Sequence, residues 1–148
     1  MSLNNLVGIS LEIIEPDKLS IQRLLRAAIR NIADSHIEAV SQENRFDAAY
    51  KAIMQLANLA LQVNGYRTLT SKPGHHQTML QSLVTSIGLD RETMIILDAL
   101  RKQRNVADYS GDIVSEAMVA ECVTQAEQLL KTITLWLKMH HVEYIIDD

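Results

Sequence analysis

Along most of the chain apolar side chains return every three or four residues, a spacing that serves one face of a helix and defeats a strand. The clearest run lies near the C-terminus, where Val119, Val123, Ala126, Leu130, Ile133 and Leu137 form one stripe, widened by Met118, Cys122, Leu129 and Trp136. A helix over about 113–139, capped by Asp112, follows. Upstream, Pro16-Asp17 opens a helix reaching about Gln42, with Ile21, Leu24, Leu25, Ala28, Ile32 and Ala39 on its apolar side. Ser41 caps the next, about 43–64, whose stripe of Phe46, Ala49, Tyr50, Ile53, Leu56, Ala57, Ala60 and Leu61 is wide enough for a central helix.

Gly65 stops that helix, and GYRTLTSK reads as a loop. Pro73 suits the first turn of a third helix over about 73–87, with Met79, Leu80, Leu83, Val84 and Ile87 inward. Asp90 starts a fourth, which Tyr109-Ser110-Gly111 breaks. Leu97 and Leu100 mark its apolar line, and Arg104 extends that line. The expected architecture is an all-α, up-and-down bundle of about five helices over residues 16–139, preceded by an arm at 1–15 and followed by a tail at 140–148. The arm, containing LVGISLEIIE, reads equally as a short strand, an extended arm or one helical turn. The tail either frays or packs back.

Composition agrees. Aromatic residues make up 4% of the 148, and there are only 5 Gly and 2 Pro, which supplies neither the turns nor the strand formers of an all-β fold. A 47% hydrophobic, 22% charged chain of this length buries a core without a staple. One cysteine, Cys122, excludes an internal disulfide and a thiolate zinc cage. Its place inside an apolar stripe suits a buried, inert thiol. No apolar run is long enough for a membrane span, and MSLNNLVG lacks the basic region of a signal peptide. A cytoplasmic, non-membrane protein is expected.

The net charge of -4 argues against a surface that coats nucleic acid, yet it is unevenly spread. Residues 1–74 hold eight Lys/Arg against seven Asp/Glu, and residues 75–148 six against eleven. Arg23, Arg26 and Arg30 recur on one side of the first helix, a solvated row that would also attract phosphate. The histidine pairs His75-His76 and His140-His141 are adjacent in sequence, so neither chelates a metal alone, and surface or helix-end positions suit them. His36 has no carboxylate at metal spacing. No cofactor motif and no metal site is expected.

The densest polar segment is Arg101-Lys102-Gln103-Arg104-Asn105-Val106-Ala107-Asp108-Tyr109. A guanidinium turned toward a bundle needs acceptors, and either Asp108 or a phosphate would serve Arg104. Tyr109 offers a ring for stacking.

RNVADY at a helix end resembles the HEPN superfamily, and ENRFDAAYKA, NGYRT and PGHHQTMLQSL are similar to small bacterial HEPN-like proteins. The resemblance spans about residues 40–138. It implies a helical bundle that forms a homodimer with its Arg-bearing helix ends near the two-fold axis. Many members are toxin or defence ribonucleases that need no metal; others bind RNA, nucleotides or a nucleotidyltransferase partner. The family motif is Arg, a polar residue, a His a few positions on, and often Tyr. Arg104, Asn105 and Tyr109 match, with Arg101 a turn ahead. Asp108 stands where the His belongs, and a carboxylate near phosphate repels it and exchanges protons poorly at neutral pH. The resemblance therefore implies binding of RNA or nucleotides with reduced or no ribonuclease activity. The residues leave open a non-catalytic interaction protein, such as the partner-binding half of a nucleotidyltransferase pair, and a DNA-binding protein, although no helix-turn-helix signal supports the last.

Overall fold

The structure, a computed structural model, describes residues 2–111 and 114–146, and of Asp108 and Tyr109 the backbone alone. Five helices make an all-α bundle: α1 (Lys18–Ser35), α2 (Gln42–Val63), α3 (His75–Ser86), α4 (Arg91–Ser110) and α5 (Glu116–His140).

α2 is the central element. Phe46, Ala49, Tyr50, Ala52, Ile53, Leu56, Ala57, Leu59, Ala60 and Leu61 are all buried, so it is covered nearly all round. It packs against α1, α3 and α5, while α4 lies mainly on α3. Ser41 caps α2, its Oγ accepting the Asn44 N–H at 3.2 Å, and Asp90 caps α4 by accepting the Thr93 N–H at 2.9 Å. Each cap satisfies a donor that the first helical turn leaves without a partner.

Several boundaries differ from the sequence expectations. α1 ends at Ser35, not near Gln42, and Ala39 is exposed. The Ser35 hydroxyl bonds back to the Ile32 carbonyl at 2.5 Å, and Arg45 Nε donates to the Ser35 carbonyl at 2.8 Å. Side chains thus take up carbonyls that a longer helix would use. α3 begins at His75 because Gly74, at φ +80°, holds a left-handed conformation that cannot continue a helix back to Pro73.

α4 runs through Tyr109 and Ser110, and Gly111, at φ +72°, ends it. The Ser110 hydroxyl bonds the Val106 carbonyl at 2.7 Å, a back-bond made within the helix. The last helix starts at Glu116, capped by Ser115, whose Oγ accepts the Met118 N–H at 3.2 Å. Val114 before the cap and Val119 four residues into the helix are both buried, the arrangement of a hydrophobic staple. The expected cap, Asp112, lies outside the described residues.

The N-terminal arm holds a 3-10 turn at Leu3–Leu6 and a short strand, β1 (Leu11–Ile13). β1 pairs antiparallel with β2 (Tyr66–Thr68), inside the segment expected to be a loop. Leu11 and Thr68 face inward, and Glu12 and Arg67 form an ion pair across the two strands. The tail packs back. A 3-10 turn at Val142–Tyr144 lets Tyr144, Ile145 and Ile146 rest on the core, and Gln22 Nε2 donates to the Ile145 carbonyl at 3.4 Å. No helix among the described residues is long and apolar enough to cross a membrane.

Candidate functional site

The wide stripe of α2 is interrupted by a polar row, Asp47, Lys51, Gln55 and Asn58, at steps of four, four and three residues. Those steps place the row on one side of the helix. There α2, α3 and α4 enclose a cleft of about 380 Å³, to which α3 contributes His76 and Met79 and α4 contributes Arg104. That volume lies within the range of sites for small organic ligands.

Arg104 is the link between α4 and α2. Its guanidinium carbon lies 5.0 Å from the centroid of the Tyr50 ring, and its Nε is 3.6 Å from Asp47 Oδ1. The helix phase that continues Leu97 and Leu100 accounts for this direction, because both leucines are buried below it. Asp47 is a partner that the spacing along α4 could not suggest. Asp108, proposed for that role, and Tyr109, proposed as a stacking ring, have side chains outside the described residues.

The other members of the expected motif separate. Asn105 is exposed and does not line the cleft. Arg101 is mostly buried and donates from Nε to Asp98 Oδ1 at 2.8 Å, and Lys102 reaches the same carboxylate at 3.6 Å. Arg101 therefore serves the helix, and only its charge reaches the cleft.

The residue missed from the sequence is His76. Both histidines at 75 and 76 sit at the start of α3, with ring centroids 4.6 Å apart, but His76 also lines the cleft. Its Nδ1 is 3.3 Å from the Tyr50 hydroxyl. Burial lowers its pKa, and the charges of His75, Arg104 and Arg101 add to the effect, so the imidazole is neutral at pH 7. Burial pushes the Tyr50 phenol up to about 12, so it keeps its proton. The Tyr50 hydroxyl and His76 Nδ1 are therefore hydrogen-bond partners, with the direction set by the imidazole tautomer. The polar row on α2 was the signal available for this side of the site; nothing in the order of residues joins His76 to Arg104.

Electrostatically the cleft offers Arg104 and Lys51 against Asp47, with a neutral imidazole beside them. The Arg104–Asp47 pair, at 3.6 Å and partly exposed, contributes little. Cys122 takes no part. It is buried, burial pushes its thiol up to about 12, and its Sγ faces the Phe46 carbonyl at 3.8 Å. Among the described residues no cluster of three or more His, Cys, Asp or Glu is placed to hold a metal ion. His36, at the end of α1, instead pairs with Glu127 of α5 at 2.7 Å. No protein-family model, no curated protein and no solved structure matches the chain.

Proposed function

We propose that the protein is a HEPN-like module that binds RNA or nucleotides, with the phosphate held in the cleft between α2, α3 and α4. The observation that carries this reading is the placement of Arg104, held over Tyr50 beside the His76 imidazole in a cleft of about 380 Å³. A guanidinium presents paired donors suited to phosphate. The His76 imidazole adds a second polar group, and Lys51 adds charge at the rim. His76 thereby brings an imidazole to Arg104 from another helix, in place of the one that the segment after Arg104 lacks.

The hydrogen bond with Tyr50 engages His76 Nδ1, and the segment after Arg104 carries no histidine, which favours binding over cleavage. Incubation with labelled RNA in EDTA tests this: retention without cleavage is expected. Cleavage lost in His76→Ala would make the protein a ribonuclease instead. Failure of wild-type protein to retain RNA or any nucleotide would overturn the reading.

The module is further proposed to act as a homodimer. Ile95 and Val106 lie eleven residues apart on one side of α4 and are 62% and 59% exposed, on the helix that carries Arg104. The reading rests on the resemblance to HEPN domains, which implies a dimer with the Arg-bearing helix ends near the two-fold axis.

A further inference from the structure

Arg23 and Arg30 are more than members of a solvated row. They wall a second groove, of about 430 Å³, between α1 and α2, together with Ser20, Gln55 and Gln62. No acidic side chain lines it. Among the described residues neither arginine is in an ion pair, and Arg26, a turn away, adds a third cation to the same helix. Asp17 feels the charge of Arg23 but is engaged as the α1 cap, accepting from the Ser20 N–H at 3.3 Å and hydroxyl at 2.6 Å. In a chain of net charge -4 this is a local concentration of positive charge.

Gln55 lines both this groove and the cleft that contains Arg104 and His76. Its Oε1 accepts from Asn31 Nδ2 at 2.9 Å, which fixes the amide and leaves its NH₂ as a donor. The two depressions thus meet at one oriented amide. Arg23 and Arg30, seven residues apart on α1, are separated by about 10 Å along the helix axis, given a rise of 1.5 Å per residue. A single phosphate reaches one depression, whereas a chain of phosphates spans both.

We infer that the cleft and the α1–α2 groove form one track for the backbone of single-stranded RNA, with Arg104 and His76 holding one phosphate, Gln55 the crossing, and Arg30 and Arg23 further phosphates. This rests on the reading of the cleft as a phosphate site and adds a second site and a direction to it. The grooves lie between neighbouring helices and suit a single strand better than a duplex.

Titrating a short poly-uridine strand and uridine monophosphate against the full chain over a range of salt concentrations tests the track. The variants are Arg23→Gln/Arg30→Gln and Arg104→Gln, with circular dichroism confirming that each retains its helices. Replacing the two exposed α1 arginines should leave monophosphate binding unchanged, weaken strand binding and make the slope of log K against log salt shallower by about 1.4, since each single-strand phosphate neutralised contributes about 0.7. An unchanged slope, with monophosphate binding still lost in Arg104→Gln, overturns the track and leaves the cleft standing. If the wild type binds neither probe, the cleft reading falls and the track falls with it.

Discussion

The guanidinium carbon of Arg104 stands 5.0 Å from the centre of the Tyr50 ring, and the hydroxyl of the same tyrosine is 3.3 Å from His76 Nδ1. One aromatic side chain on α2 therefore positions a cation from α4 and an imidazole from α3. The ring is buried while the Arg104 side chain is partly exposed. Tyr50→Phe separates the two contacts. It keeps the ring beneath Arg104 and removes the hydrogen bond to His76 Nδ1. Phosphate affinity should persist in this variant, while the pH dependence of binding should change as Nδ1 becomes free to take a proton.

For Arg104 itself, stability and binding should part. A partly exposed cation–π contact contributes about 0.5–1 kcal/mol, and a partly exposed ion pair adds about 0–1 kcal/mol. Those two contacts together contribute about 0.5–2 kcal/mol, so Arg104→Ala should lower Tm by a few degrees at this chain length, while nucleotide binding disappears. Paired calorimetric melting and nucleotide titration check this. A much larger loss of stability would make Arg104 a fastening of α4 rather than a ligand group.

His76 gives the pH dependence a sign. Its folded-state pKa lies below the ordinary value of 6.5, chiefly through burial. Between the two values the unfolded chain binds a proton that the folded chain does not, so stability rises with pH across that window and is lost as pH falls below about 6.5. Denaturant titrations from pH 7.5 to about 5 should show this loss in the wild type and a smaller one in His76→Gln. Asp17 and Asp90, whose capping bonds to Ser20 and Thr93 hold their carboxyls below the usual 3.8, act only at lower pH. If His76→Gln leaves the slope unchanged, the imidazole is not held neutral by its surroundings.

The bundle was legible from periodicity because burial on α5 follows the three-four spacing closely and α2 is buried along its stripe and beyond it, and Ser41 and Asp90 carry cap chemistry in their own side chains. What periodicity could not supply were decisions made by contacts distant in sequence. α1 stops at Ser35 because Arg45, ten residues on, takes its carbonyl. β2 is a strand because the N-terminal arm lies alongside it. Arg104 was identified because its helix phase is local, whereas Asp47 and His76 reach it from other helices. Arg23 and Arg30 were visible as charge, but their groove exists only once α1 lies against Gln55 and Gln62.

Cys122 provides a label-based test of the core. The thiol is buried, with burial pushing it up to about 12, so at pH 8 almost none is thiolate. A thiol reagent should modify the native protein only as fast as the bundle opens, and the modification rate should rise in step with unfolding in urea. Rapid labelling in the absence of denaturant would place Cys122 at the surface and contradict the packing of α5 against Phe46.

The position of Ser115 makes the start of α5 testable. Its Oγ accepts the Met118 N–H at 3.2 Å, one of the donors that the first helical turn leaves without a partner. Loss of such a cap typically costs about 1 kcal/mol, and another good capping side chain restores most of it. Ser115→Ala should therefore lower the urea midpoint by that equivalent without changing the slope of the transition, because the surface exposed on unfolding stays the same. Ser115→Asp should recover the midpoint, since its carboxylate both accepts the N–H and favours the positive end of the helix dipole. If alanine proves as stable as serine, the first turn of α5 is held by the buried Val114 and Val119 alone, and its cap lies elsewhere.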